Sequence, residues 1–408
     1  MSRIDELILK YCPNGVEFKK LGDIAEYRRG SFPQPYGNAE WYDGEGAMPF
    51  VQVADVAFDM KLVKNTKQKI SLKAQTKSIF VPKNTVVVTL QGSIGRVAIT
   101  QYDAYVDRTL AIFLSYKFEI NLKYFAYQLE SKFKIEREFA RGSTLKTITK
   151  EEFTKFMIPI PPLAVQEEIV KILDKFTQLE AELEAELEAR TRQYEYYRNQ
   201  LLAFEDKEVE WKTLGEVGEF IRGSGLQKTD FTESGVGCIH YGQIYTFYGT
   251  YATKTKSFVS EELAKKLRKA KKGDLIIAGV SENIEDVCKS VVWLGEEDIC
   301  ISGDSSAFRH NQNSKFIGYL LQTSRFSDFK KKFAQGAKVT RLRSGSLPTF
   351  KIPIPPIEEQ ERIVKILDQF DALVNDISVG LPAEIKARRE QYEYYRGKLL
   401  TFKPLVHS

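Results

Sequence analysis

Most of the signatures of catalysis are missing from this sequence. There is no GxxxxGK[ST] phosphate loop, no glycine-rich dinucleotide turn between a strand and a helix, and no HExxH. The three histidines, His240, His310 and His407, are too scattered to form a metal centre. The four cysteines, Cys12, Cys238, Cys288 and Cys300, include no CxxC pair and read as reduced thiols of a cytoplasmic protein. No asparagine- or aspartate-Pro-Pro-aromatic tetrapeptide of the adenine-methylase kind occurs, and no carboxylates and lysine take a nuclease-like arrangement on adjacent strands. No apolar run reaches membrane-spanning length, and the start MSRIDELILK is not a signal peptide. These absences point to a non-catalytic chain that binds no membrane.

What is present is a repeat. Ile158–Phe204 opens as IPIPP and continues through QEEIVKILD to QYEYYR; IPIPP returns at Ile352, 194 residues later, in a copy ending at Phe402. Gln166 meets Gln360, and Ile169–Asp174 (IVKILD) recurs as Ile363–Asp368. QYEYYR recurs after 198 residues, so the second copy holds four extra residues between the two blocks. In the first copy the prolines impose an extended lead-in, and Pro162 or Leu163 then opens a helix with Glu167 and Glu168 in its first turns. Ile169, Ile172, Phe176, Leu179 and Leu183 draw an apolar stripe. Two such striped helices are most simply buried against each other. In the second copy, Gly380-Leu381-Pro382 predicts a kink or break, with the helix resuming through Ile385, Tyr392 and Leu399.

The duplication covers whole half-chains. FKKLGDIAEYRRG at Phe18 is matched by WKTLGEVGEFIRG at Trp211, and FARGSTLKTI at Phe139 by FAQGAKVTRL at Phe333. Between these shared borders the halves barely resemble each other, as one frame carrying two different readers would. Residues 1–17 hold a short helix ended by Cys12-Pro13. Strands are expected at Pro49–Val53, Thr85–Leu90 and Val97–Thr100, and then at Gly237–Tyr241, Asp274–Ala278, Ser290–Leu294 and Ile299–Ser302. Helices are expected at Leu122–Phe139, Ser260–Lys272 and Lys315–Phe333. The organisation is therefore two α+β domains, 1–157 and 206–351, each followed by a spacer helix, 158–205 and 352–408.

Charge is unevenly placed. Residues 163–204 carry nine acids and five bases, so a chain of net charge +5 has +9 outside that helix. Basic globular parts beside an acidic helix suggest a polyanion, with Lys and Arg for phosphates and Arg, Gln, Asn and Ser for base edges. In the first domain the candidates are Arg28, Arg29, Ser31, Gln34, Tyr36 and Asn38 in one loop and Gln91, Ser93 and Arg96 in another, where Gly92 and Gly95 allow close backbone approach. In the second they are Arg222, Ser224, Gln227 and Lys228, then His240, Tyr241 and Gln243, then Ser281 and Asn283, with Arg309 beyond.

With IPIPP, Gln, IVKILD and QYEYYR duplicated around two variable domains, the chain resembles the specificity subunits of type I restriction–modification systems. The repeat Leu179-Glu-Ala-Glu, Leu183-Glu-Ala-Glu, Leu187-Glu-Ala-Arg190 resembles the spacer of that family's type IC branch, with Glu-Ala where the branch often has Thr-Ala. The resemblance implies two pseudo-repeated α/β target recognition domains separated by a long antiparallel two-helix coiled coil. Each domain would read half of a bipartite, asymmetric site in double-stranded DNA. The chain would use no cofactor; two modification subunits using S-adenosylmethionine, and restriction subunits using ATP and Mg, would supply the chemistry. Each four-residue repeat adds about 6 Å to a helix, one or two base pairs at ~3.4 Å per base. The competing reading is a coiled-coil protein–protein adaptor without sequence-specific DNA readout.

Overall fold

The computed structural model describes residues 2–139, 150–205, 208–336, 339–343, 345–376 and 378–405. It comprises two compact units, Met1–Glu180 with Arg388–Ser408, and Ala181–Ala387. Each unit is one recognition domain together with the beginning of one long helix and the end of the other.

Both domains have the same three layers. In the first, an antiparallel sheet runs in the order Ala25–Arg29, Leu110–Tyr116, Val86–Thr89, Val97–Ile99. A second sheet runs Gln68–Ile70, Met48–Val51, Ala104–Val106, Ile79–Val81, with its central pair parallel. Val86, Val87 and Val88 are fully buried, because successive side chains leave opposite faces of the first sheet. Val86 and Val88 join Ala111 and Phe113 against Tyr124, Phe125, Leu129 and Phe133 of the helix Leu122–Phe139. Val87 and Ile112 face Val51, Val81 and Val106 of the second sheet. Burying side chains of this size stabilises by about 1.5–3 kcal/mol each, which is why this run is apolar without alternation.

The second domain repeats the plan: Gly218–Arg222, Ser305–His310, Leu275–Ala278, Ser290–Trp293, and an added parallel edge strand, Tyr251–Ala252. Its other sheet runs Ser257–Val259, Val236–Ile239, Ile299–Ile301, Lys269–Ala270, again with a parallel central pair. The two interiors, so different in sequence, therefore share one topology. Tyr241, expected at a strand end, instead opens the helix Tyr241–Thr246. The helix expected over Ser260–Lys272 stops at Ala264, and Lys269–Ala270 is a strand whose Ala270 is buried against Ile299. The lysines between carry no apolar stripe to hold a longer helix. The helix expected over Lys315–Phe333 is two, Ser314–Leu320 and Ser324–Phe333, because Thr323 caps the second through a bond from the Phe326 amide at 3.4 Å. Of the matched FARGSTLKTI and FAQGAKVTRL segments, residues 140–148 of the first lie outside the described residues, while in the second Ala334–Gln335 pairs antiparallel with Arg341–Leu342.

The long helix spans Leu163–Leu201 and the second copy Ile357–Asn375 and Leu381–Leu400. The break falls a few residues before Pro382. A Cβ on Gly380 would lie 2.3 Å from the Ala372 carbonyl oxygen, so glycine closes the first segment. Within each unit the two helices are antiparallel. In the first unit Phe176 stacks on Tyr395 at 5.7 Å and Arg389 bonds Glu180; in the second Tyr197 stacks on Phe370 at 5.5 Å. The IPIPP segments are strands, Met157–Pro159 paired with Phe18–Lys20 and Lys351–Ile354 with Glu210–Thr213. Prolines are tolerated there because these ribbons have only two strands. Among the described residues no helix is long and apolar enough to cross a membrane.

The residues the two copies share are the joints between helix and domain. Gln166 is buried; its Oε1 accepts from the Asn121 amide at 2.9 Å and its Nε2 donates to the Pro161 carbonyl at 2.7 Å. Gln360, equally buried, accepts from the Asn313 amide at 3.0 Å and donates to the Pro355 carbonyl at 2.8 Å. Asp174 is held by Lys123 at 2.6 Å and by the Tyr127 hydroxyl at 3.2 Å, and Asp368 by Lys315 at 2.8 Å and the Tyr319 hydroxyl at 2.6 Å. Gln360→Ala would strand a buried amide and a buried carbonyl, at about 1–3 kcal/mol for each unmatched group. The expected result is a loss of roughly 2–4 kcal/mol in the second unit alone, seen as faster hydrogen exchange in Ser290–Trp293 and Ser314–Leu320 with unchanged exchange in Val86–Thr89.

Candidate nucleic-acid interface

In the first domain four strands end together. The amides of Gly30 and Ser31 donate to the Leu110 and Val106 carbonyls at 3.1 and 3.0 Å. The Asp107 amide donates to the Val51 carbonyl at 3.0 Å, and the Leu90 amide to the Thr109 carbonyl at 2.8 Å. Segment 106–110 thereby gathers the loops that leave Arg29, Val51 and Thr89. Gly30 is required at this crossing, since a Cβ would stand 2.1 Å from the Val106 carbonyl oxygen. The second domain is built identically. The Gly223 amide donates to the Ser305 carbonyl at 2.9 Å and the Gly279 amide to the Asp304 carbonyl at 2.7 Å. A Cβ on Gly223 would stand 2.0 Å from the Ser302 carbonyl oxygen.

At the first loop-lined end, Arg28, Arg29, Gln34 and Ser93 are exposed. Phe32 anchors the first loop by stacking on Tyr36, Tyr42 and Phe50 at 4.9, 5.3 and 4.5 Å. The Tyr36 hydroxyl donates to Asp107 Oδ2, and burial together with that carboxylate pushes its phenol well above the usual tyrosine range. The exposed Arg108 guanidinium lies 5.4 Å over the Tyr36 ring. Ser31 Oγ donates to the Lys77 carbonyl at 3.2 Å, and Asn38 Oδ1 accepts from the Glu40 amide at 3.1 Å, so both fix the loop. Gln91 is half-buried beside Gly92. Gly95, at φ +80°, would place a Cβ 2.5 Å from Phe133, so its glycine serves packing rather than an approaching phosphate. Ile94, buried, pins the same loop. Arg96 donates to the Val56 carbonyl at 3.4 Å and covers the ring of Phe58 at 4.2 Å.

At the second end one open cleft collects six of the candidates. It is lined by Arg222, Ser224, Gln227, Lys228, His240 and Tyr241, with Gly303 and Asp304 opposite. Arg222 Nε donates to the Gly303 carbonyl at 3.2 Å, which aims the guanidinium along the rim. Ser224 Oγ accepts from the Arg268 amide at 2.8 Å. His240 Nδ1 accepts from the Gly242 amide at 3.2 Å; burial, and then Lys228, hold the imidazole below its ordinary pKa, so it is neutral at pH 7. Gln243 lies elsewhere: it is buried, accepts from the His240 amide at 3.0 Å and donates to Ser257 Oγ at 2.7 Å. Ser281 is buried and exchanges backbone bonds with Thr340 at 2.9 and 2.7 Å. Asn283 caps its own turn by accepting from the Asp286 amide at 2.7 Å. Arg309 makes a fork with Asp274 at 3.1 and 2.7 Å beside Glu219, at the opposite end of the strand pair from Arg222. These four are occupied in holding the domain. Sequence reasoning missed Arg108 and Phe58. Arg108 sits in VDRTL at a strand turn and Phe58 in an ordinary apolar run, and neither has a motif around it.

Two basic, glycine-crossed ends of equal topology and unlike side chains suit two different stretches of a polyanion. The sequence profile of a family described as "Type I restriction modification DNA specificity domain" matches residues 13–189 and again 206–387. The Escherichia coli protein named "Type I restriction enzyme EcoR124I/EcoR124II specificity subunit" is 39% identical over 294 residues, covering 69% of this chain and 71% of that one. The Escherichia coli "EcoprrI specificity subunit" is 28% identical over 383 residues, 89% of each chain. A chain from a structural study of "complex assembly and conformational transition of the type I R-M system" superposes with a TM-score of 0.67 at 16% identity, covering 95% of this chain and 98% of that one. The S subunit of M. genitalium superposes with a TM-score of 0.50 at 16% identity, covering 95% and 96%. The likeness to both solved chains is one of fold.

Proposed function

Because the chain belongs to the type I restriction–modification DNA specificity family, we propose that its two loop-lined ends are the two DNA-reading surfaces and that the chain itself makes and breaks no bonds. The observation that carries this reading is the shared frame with different side chains at one end of each domain. Arg28, Arg29, Gln34, Ser93 and Arg108 offer the first domain's phosphate and base-edge contacts; Arg222, Gln227, Lys228, His240 and Tyr241 offer the second's. Methyl transfer from S-adenosylmethionine, and cleavage driven by ATP with Mg, belong in this reading to partner subunits.

The helices offer those partners a repeated landing. In QYEYYR the second tyrosine of each copy points outward: Tyr196 is 60% and Tyr394 66% exposed, one in each unit. Its neighbour, 40% and 37% exposed, stacks across the helix pair, Tyr197 on Phe370 and Tyr395 on Phe176. Equal exposed aromatics on equal frames fit two copies of one modification subunit, and restriction subunits would join through them.

Footprinting of the assembled complex tests this. Two protected patches flanking unprotected base pairs are expected, with affinity falling steeply as salt rises because basic side chains displace condensed counterions. One contiguous patch, or salt-independent binding, overturns it and favours the adaptor reading.

A further inference from the structure

Phe58 is 81% exposed, a costly placement for a phenylalanine at the surface. The loop that carries it is nevertheless tightly held. Val56, Met60 and Leu62 are buried beneath it, Val56 bridges Leu62, and the Ala57 amide donates to the Lys61 carbonyl at 2.9 Å. The Ile99 amide donates to the Met60 carbonyl at 3.0 Å, and the Leu62 amide to Gln101 Oε1 at 2.9 Å. A loop fastened on both sides of its tip presents that side chain in a fixed place. The ring also lies at the loop-lined end of the domain, because the loop leaves Val51 and Arg96 of the neighbouring loop rests on it at 4.2 Å. Lys61, Lys64, Lys67 and Lys69 follow, all exposed.

The second domain has an exposed phenylalanine between the equivalent strands, Phe247, but it lines a groove with Thr191, Tyr194 and Glu195 of the long helix and with Glu285 and Asp286. Phe58 has a cation on its ring and lysines along its own loop, which is an arrangement for a ligand that is anionic outside and apolar within.

The contact must use one ring face or the ring edge, because Arg96 already occupies the other face of Phe58. Insertion between two bases needs both faces. The apolar group that a duplex offers at a base edge is the thymine 5-methyl in the major groove. We propose that Phe58, backed by Arg96, reads a thymine methyl in the half-site of the first domain. This rests on the two-reader function proposed above.

The test uses the chain assembled with its modification subunits and duplexes in which each thymine of the site is singly replaced by deoxyuridine, which lacks only the methyl. At one position of the first half-site the wild-type complex should bind the uracil duplex about 3- to 10-fold more weakly, the worth of one buried methyl or slightly more. Phe58→Ala should show a similar loss on the thymine duplex and no further loss with uracil there, while Phe58→Leu keeps most of the methyl dependence. Binding by Phe58→Ala equal to wild type, or an equal loss on thymine and uracil duplexes, overturns the inference while a wild-type complex that still distinguishes both half-sites leaves the reader function standing. A rise in 2-aminopurine fluorescence at the first half-site that requires Phe58 also overturns the inference, since that reports insertion between bases. A wild-type complex indifferent to both half-site sequences overturns both.

Discussion

A chain lacking Leu183–Glu186 should abandon its natural site for one whose unread gap is shorter by one or two base pairs, with both half-site sequences unchanged. Four residues contribute about 6 Å of helix and overshoot a full turn by roughly 40°, so the stripe stays nearly in phase. The structure adds reasons for expecting the shortened helix to form. Within the repeat Leu183 and Leu187 are half-buried, while Glu184, Ala185, Glu186, Glu188 and Ala189 are exposed. Arg190 pairs with Glu186 one turn before it at 2.7 Å, and after excision Glu182 would take the same place. A reader displaced by two base pairs loses its half-site, so affinity for the natural site should fall roughly a thousandfold, the low end of the ratio between specific and non-specific binding. Methylation mapping in cells expressing the full system reads both quantities together. Changed half-site bases, or an unchanged gap, would show that the repeat is not a ruler.

The second large effect is expected from Arg222→Ala with Lys228→Ala. Both residues line the rim of the second domain's cleft, and neither belongs to a buried cluster. Affinity should fall on the order of a hundredfold, and if both cations meet phosphates the slope of log affinity against log salt should lessen by about 1.8. Half-site preference should relax on the second side only. Arg29→Ala with Arg108→Ala should mirror this on the first. Selection from randomised duplexes gives the outcome directly, and relaxation of both half-sites by either pair would end the division into two readers.

Much of this was legible in the residues. The duplicated frame, both long helices, the break before Pro382 and six residues of the second cleft follow from repeats, periodicity and turn chemistry. What was hidden has identifiable causes. The common frame of the two domains was legible in their borders, but the matching of individual strands was not, because a pleated sheet demands only that inward positions be apolar; Val86–Thr89 and Leu275–Ala278 meet that demand with different residues. Gln243, Ser281, Asn283 and Arg309 have the chemistry of base readers, yet Gln243, Ser281 and Arg309 are held by partners distant in sequence, Ser257, Thr340 and Asp274, and Asn283 by the turn it caps at Asp286. Phe58 was overlooked for the opposite reason, because a phenylalanine in an apolar run reads as core until its exposure is known.

The paired joints bear on how such a protein can change. Gln166 and Gln360 grip the same kind of backbone at Asn121 and Asn313, and Asp174 and Asp368 face the same lysine and tyrosine four residues apart. A recognition domain is therefore mounted in part by a standard fitting, beside contacts of its own such as Arg396 with Glu130 in the first unit and Asn199 with Ser324 in the second. Recombination at the IPIPP borders would exchange one reader for another, or install the same reader twice, while keeping these glutamine and aspartate joints. New specificities would then arise by assortment of whole domains, far faster than by the accumulation of point changes at a reading surface.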